Sequence, residues 1–109
     1  MQRNLTLIPG WKNILQETEK VLLIIDSSMA PEVPTGSLVG VKKMHNWETL
    51  NTERIYLIIT RDDRMIKRIE HDIGDPSILW CVSPNYPRFK IYKEEIIEIH
   101  RVCFVYNVK

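Results

Sequence analysis

The sequence predicts a mostly β fold, made of small twisted antiparallel sheets with little helix, and three observations carry that reading. From Val21 onward, β-branched apolar runs alternate with short turn-rich breakers, the texture of strands that bury one face. No helix-period segment of convincing length follows residue 20. At 109 residues, 44% apolar and 27% charged, the chain suits a single domain that buries about two thirds of its unfolded surface.

Taken in order, residues 1–20 read as an N-terminal arm or hinge remnant, with a turn at Pro9-Gly10 and either a short helix or an extended stretch from Trp11 to Lys20. The domain proper is expected over 21–109. Its strand runs are Val21–Ile25, Ser37–Lys43, Arg54–Thr60, Met65–Glu70, Ile78–Val82, Arg88–Tyr92 and Ile96–Val108. Pro31, Pro34 and Gly36 interrupt the first pair, and Asn46–Thr52, Arg61–Arg64, Asp72–Pro76, Pro84–Pro87 and Lys93–Glu95 interrupt the rest. Asp62-Asp63 lies between two alternating runs, so Arg54–Glu70 reads as a β-hairpin with a short polar turn. On the last run Ile97, Ile99, Cys103 and Val105 fall on one face and Ile96, Val102, Phe104, Tyr106 and Val108 on the other. One of those faces, or the strand edge, is then available to a second subunit.

Several function classes are disfavoured. A formal charge of +1 with acids and bases intermixed provides no broad cationic field for nucleic acid, so DNA contact would come only through a domain outside this chain. Cys81 and Cys103 stand far apart in strand-like surroundings and read as buried thiols of a reducing compartment, not a disulfide frame. Val21–Ile25, as long as any uninterrupted apolar stretch in the chain, is too short for a membrane span or a signal-peptide core, and a cytoplasmic location is expected. His45, His71 and His100 fall in no triad or metal spacing and read as surface or half-buried residues. No metal and no cofactor are expected.

The chemistry is concentrated in two places. In Met65-Ile66-Lys67-Arg68-Ile69, period two puts Met65, Lys67 and Ile69 on one face, so the lysine has apolar neighbours on its own side. Such surroundings disfavour the ammonium form, which suits a general base; a snorkelling lysine has the same pattern. The run Asp26-Ser27-Ser28-Met29-Ala30-Pro31 puts Ser28 where a strand gives way to a Pro-rich turn, with its hydroxyl exposed and its N–H free to donate. A serine needs a base and oxyanion donors to attack a carbonyl, and lysine serves as that base in Ser-Lys variants of the triad.

Ser28-Met29-Ala30-Pro31, then Pro34-Thr35-Gly36-Ser37-Leu38-Val39, then Ile66-Lys67-Arg68-Ile69 resemble, in order, the C-terminal serine peptidase domain of LexA-type and phage cI-type repressors. Ser83-Pro84-Asn85-Tyr86-Pro87 and the strand from Ile96 to Val105 resemble later motifs of the same family. The resemblance implies a LexA-like β-clip fold, Ser28 as nucleophile, Lys67 as general base and the backbone amides of Ser27 and Ser28 as oxyanion donors, with Met29 and Pro31 packing beside the site. It also implies a transcriptional regulator of the SOS-response kind, autocleavage of an upstream hinge peptide, and a homodimer through the C-terminal strand. Two departures stand against it. The family's Gly-Asp before the nucleophile is Asp26-Ser27 here, and neither Ala-Gly nor Cys-Gly, the bonds such repressors cut, occurs in the chain. A catalytically inactive dimerisation module of the same fold is therefore a second expectation, and a fragment of a signal-peptidase-type enzyme, which would need a membrane anchor, a third.

Overall fold

The computed structural model describes residues 17–107. Seven strands appear where the apolar runs stand: β1 (Lys20–Leu23), β2 (Ser37–Lys43), β3 (Tyr56–Thr60), β4 (Arg64–His71), β5 (Ile78–Ser83), β6 (Tyr86–Tyr92) and β7 (Ile96–Asn107). Two single-turn 3₁₀ segments, Trp47–Thr49 and Lys93–Glu95, are the only helical elements longer than one residue among the described residues. The strands hydrogen-bond in the order β1-β2-β7-β3-β4-β5-β6, every pairing antiparallel. The mostly β reading therefore holds. The predicted arm lies, apart from residues 17–20, outside the described residues; Glu19 N–H donates to Val41 O at 2.9 Å, continuing the β1–β2 pairing backward. No helix among the described residues is long and apolar enough to cross a membrane.

Two strands change partners along their length, and this shapes the domain. β4 pairs with β3 through Arg64–Lys67 and with β5 through Arg68–His71, which places Lys67 at the corner where one sheet hands over to the next. β7 pairs with β3 over Ile96–Arg101 and with β2 over His100–Asn107. Each edge of β7 is thus hydrogen-bonded within the chain over part of its length, one to β3 and the other to β2.

Alternation sorts the apolar residues into two cores. Tyr56, Ile58, Ile69, Leu79, Cys81 and Ile99 centre one, while Met29, Val33, Val39, Val41, Leu57 and Ile66 centre the other. Leu57 between Tyr56 and Ile58, and Ile66 beside Lys67, show period two dividing the two faces. On β7 the period breaks. A bulge opposite Ile59/Thr60 brings both Ile96 and Ile99 into the core and leaves Ile97 58% exposed, so Ile97 and Ile99 do not share an environment as simple alternation predicts.

Two glycines are required by geometry. Gly36 has φ +90°, where a Cβ is strained, and its N–H donates to Ile24 O at 2.7 Å to close the turn into β2. At Gly40, next to a second bulge, a Cβ would lie 2.2 Å from the Phe104 ring; the missing side chain is the space that ring occupies.

Candidate functional site

The turn after β1 is built from its own backbone. Ala30 N–H donates to Ser27 O, Val33 N–H to Met29 O and Ser37 N–H to Pro34 O, and the Ala30–Pro31 peptide is cis. Met29, 1% exposed, and Val33, fully buried, anchor the turn in the second core. Met29 is therefore the bolt that seats its neighbour Ser28 against the domain, while Pro31 is exposed. The expectation of an exposed Ser28 hydroxyl and an uncommitted Ser28 N–H is corrected: Ser28 is 2% exposed. Its N–H and Oγ both donate to Asp26 Oδ1, at 3.1 and 3.2 Å. This is the turn in which an Asp side chain caps the backbone two residues on.

Lys67 is 6% exposed, so the apolar-face reading holds and the snorkelling one does not. Its Nζ donates to Ser83 Oγ at 3.3 Å and stands 5.4 Å from the centroid of the Tyr86 ring, inside cation–π range. Ser28 and Lys67 face one open cleft of about 520 Å³, whose walls include Asp26, Arg64, Tyr86 and Phe89. Among the described residues no hydrogen bond joins Ser28 to Lys67; each is held by a different partner. Beside this cleft runs an apolar groove of about 290 Å³ along Leu22–Asp26, closed by Leu57 and Ile66, and sharing Asp26, Arg64 and Met65 with it.

Residues distant in sequence fix the two halves together. The Pro84-Asn85 turn between β5 and β6 leans on the serine turn: Asn85 Nδ2 donates to Ser27 O at 2.8 Å and Ala30 O at 3.1 Å, and Asn85 N–H to Ser28 O at 3.4 Å. Arg68, next to Lys67, makes a two-pronged ion pair with Glu32, its Nη2 lying 2.6 Å from Oε2. The hydrogen bonds to Arg68 hold the Glu32 carboxyl below the usual range, and Glu32 raises the guanidinium in turn. The sequence reading missed Ser83 and Asn85 as site residues. Their signal was present in the Ser-Pro-Asn-Tyr-Pro turn, which the family resemblance had marked without assigning a role.

The other polar candidates lie elsewhere. Cys81, buried in the first core, has its thiol pushed up to about 11 by desolvation, with Lys67 offsetting part of the effect; such a thiol is inert near neutrality. Cys103 is half-buried and both cysteines are free. His100 departs from expectation: it is 2% exposed, with Nε2 2.7 Å from Glu98 Oε1, because the β2–β7 pairing covers it. His45 and His71 are exposed. No group of three or more His, Cys, Asp or Glu side chains among the described residues could hold a metal ion.

An all-antiparallel domain that seats a serine turn and a buried lysine on one cleft is a peptidase-type fold. The chain belongs to the Peptidase S24-like family, that of LexA-type and phage-repressor C-terminal peptidase domains: the family model matches residues 2–103. No curated protein matches the chain.

Proposed function

We propose that this domain cleaves a peptide bond by Ser-Lys acyl transfer as the peptidase part of a transcriptional regulator, with Ser28 as nucleophile and Lys67 as general base. The observation that supports this best is that Ser28 and Lys67, 39 residues apart in sequence, are both buried and line the same cleft. Ser28 Oγ attacks the scissile carbonyl carbon, its proton passes to the Lys67 amine, and the developing oxyanion takes the backbone N–H groups of Ser27 and Ser28. The protonated Lys67 then delivers its proton to the leaving amine, and water releases the acyl group. Ser83 orients the amine, as the third member of such a site orients the base. The apolar groove along Leu22–Ile25 suits an extended peptide, such as a hinge segment, with apolar side chains before the scissile bond. Incubation with peptides carrying Ala-Gly or Cys-Gly between apolar flanks tests this. Cleavage is expected to disappear in Ser28→Ala; cleavage that survives in Ser28→Ala removes the serine from the mechanism.

Homodimerisation through the C-terminal strand rests on a second observation. Leu23 is aligned with Leu38 and Tyr106 across β1, β2 and β7, and Val21 with Gly40 and Phe104. The face they share is apolar, with Leu23 61% and Val21 52% exposed. A second copy covering this face gives a dimer at micromolar concentration in sedimentation, and Leu23→Glu is expected to weaken association at least tenfold by placing a charge in the interface. A monomeric parent protein overturns the dimer.

A further inference from the structure

One carboxylate oxygen holds both of the groups that Ser28 must supply for catalysis. Attack requires the hydroxyl proton to be directed to the base, and stabilisation requires the Ser28 N–H to point at the developing oxyanion. In this structure both donate to Asp26 Oδ1, while the Lys67 amine is turned to Ser83. A carboxylate bonded to the Ser28 N–H also sets a negative charge where the oxyanion would form, and like charges at hydrogen-bond range repel.

We propose that Asp26 is a self-inhibitory latch that keeps the Ser28 site closed until a peptide occupies the adjoining groove. The proposal deepens the acyl-transfer reading above and rests on it. Three features make the latch releasable. Asp26 is itself exposed, so its carboxylate has solvent to move into. Its backbone is secured independently of its side chain, since Thr35 Oγ1 donates to Asp26 O at 3.1 Å. Asp26 lines both the apolar groove and the cleft, so an extended peptide laid along Leu22–Ile25 toward Ser28 passes directly over it. The peptide displaces the carboxylate, its scissile carbonyl oxygen takes over the Ser28 N–H, and the serine hydroxyl turns to Lys67. The substrate class implied is an extended segment with apolar residues leading to the scissile bond. A short ester without such residues meets the latch closed.

The alternative role for Asp26 is structural, capping the turn through the Ser28 N–H. The two roles differ in what Asp26→Asn does: the amide oxygen still caps the turn but carries no charge. The test uses the full chain with p-nitrophenyl acetate. Ser28 Oγ bonds to the acetyl carbon, the bond to p-nitrophenolate breaks, the serine proton goes to Lys67, and water then hydrolyses the acetyl-serine. Subtracting the rate of the same protein carrying Ser28→Ala leaves the Ser28-dependent turnover. If Asp26 is a latch, Asp26→Asn raises that turnover about tenfold and Asp26→Gly further, toward about a hundredfold, the scale on which one oxyanion donor acts. Ser28-dependent turnover in the parent that is unchanged or lower in both variants overturns the latch and leaves the dyad standing. No Ser28-dependent turnover in the parent or in either variant overturns the dyad and the latch together. Asp26→Asn keeps the cap, so the comparison holds if Asp26→Gly does not fold.

Discussion

Lys67→Met is expected to abolish Ser28-dependent acyl transfer while leaving the domain at least as stable as the parent. The two halves of that result come from the same fact, that the amine is buried at a corner where β4 leaves β3 for β5. Without a base the serine proton has no acceptor positioned to take it, and loss of such a group costs about a thousandfold or more. For stability, two contacts disappear: the 3.3 Å bond to Ser83 and the approach to the Tyr86 ring, each worth about 1 kcal/mol. Against them stands the desolvation of a buried polar amine, which costs about 1–3 kcal/mol. Methionine fills the same path with a flexible apolar chain. Urea unfolding and the ester assay check both halves. A variant that turns over normally moves the base elsewhere, and one that unfolds much more easily makes Lys67 a structural residue.

The same contrast between local pattern and distant contact decides what could be read in the sequence. Strand positions were legible because they depend on short-range regularities: Ser37–Lys43 and Ile78–Val82 are apolar runs between turn residues, and β2 and β5 follow them closely. The face of Lys67 was legible for the same reason, since alternation between Met65 and Ile69 needs no knowledge of the fold. The environment of Ser28 was not. Its burial follows from Met29 and Val33 sinking into a core shared with β2, β3 and β4, and from Asn85 bonding to Ser27 O and Ala30 O across 58 and 55 residues of chain. No periodicity records such bonds. Asp26 was noticed for the glycine it replaces, a local fact, but its grip on Ser28 depends on how the turn closes. The β7 faces failed in another way: a bulge inserts one residue and reverses the alternation after it, and nothing in Ile96-Ile97-Glu98-Ile99 marks the place.

That bulge leads to the largest expected loss of stability. Ile99→Ala is expected to destabilise the domain by about 3–4 kcal/mol, and Ile97→Ala, two residues away, by no more than about 0.5 kcal/mol. Ile99 is fully buried, paired directly with Ile58 on β3, which is fully buried as well. Cutting it back removes three carbons from the centre of the first core, and strands held on both sides cannot collapse into the space. Ile97 is 58% exposed on the same strand, so its truncation leaves no cavity. Against a total stability of about 5–15 kcal/mol for a domain of this kind, the Ile99 variant unfolds more than about 10 °C lower. Because β7 joins the β2 half, which seats the serine turn, to the β3–β4 half, which carries Lys67, its loosening also separates the two sides of the cleft, and Ser28-dependent turnover is expected to fall before global unfolding. Paired thermal and urea denaturation of the two variants decides the register: equal losses at the two positions mean that β7 alternates without the bulge and that Ile97 shares the core with Ile99.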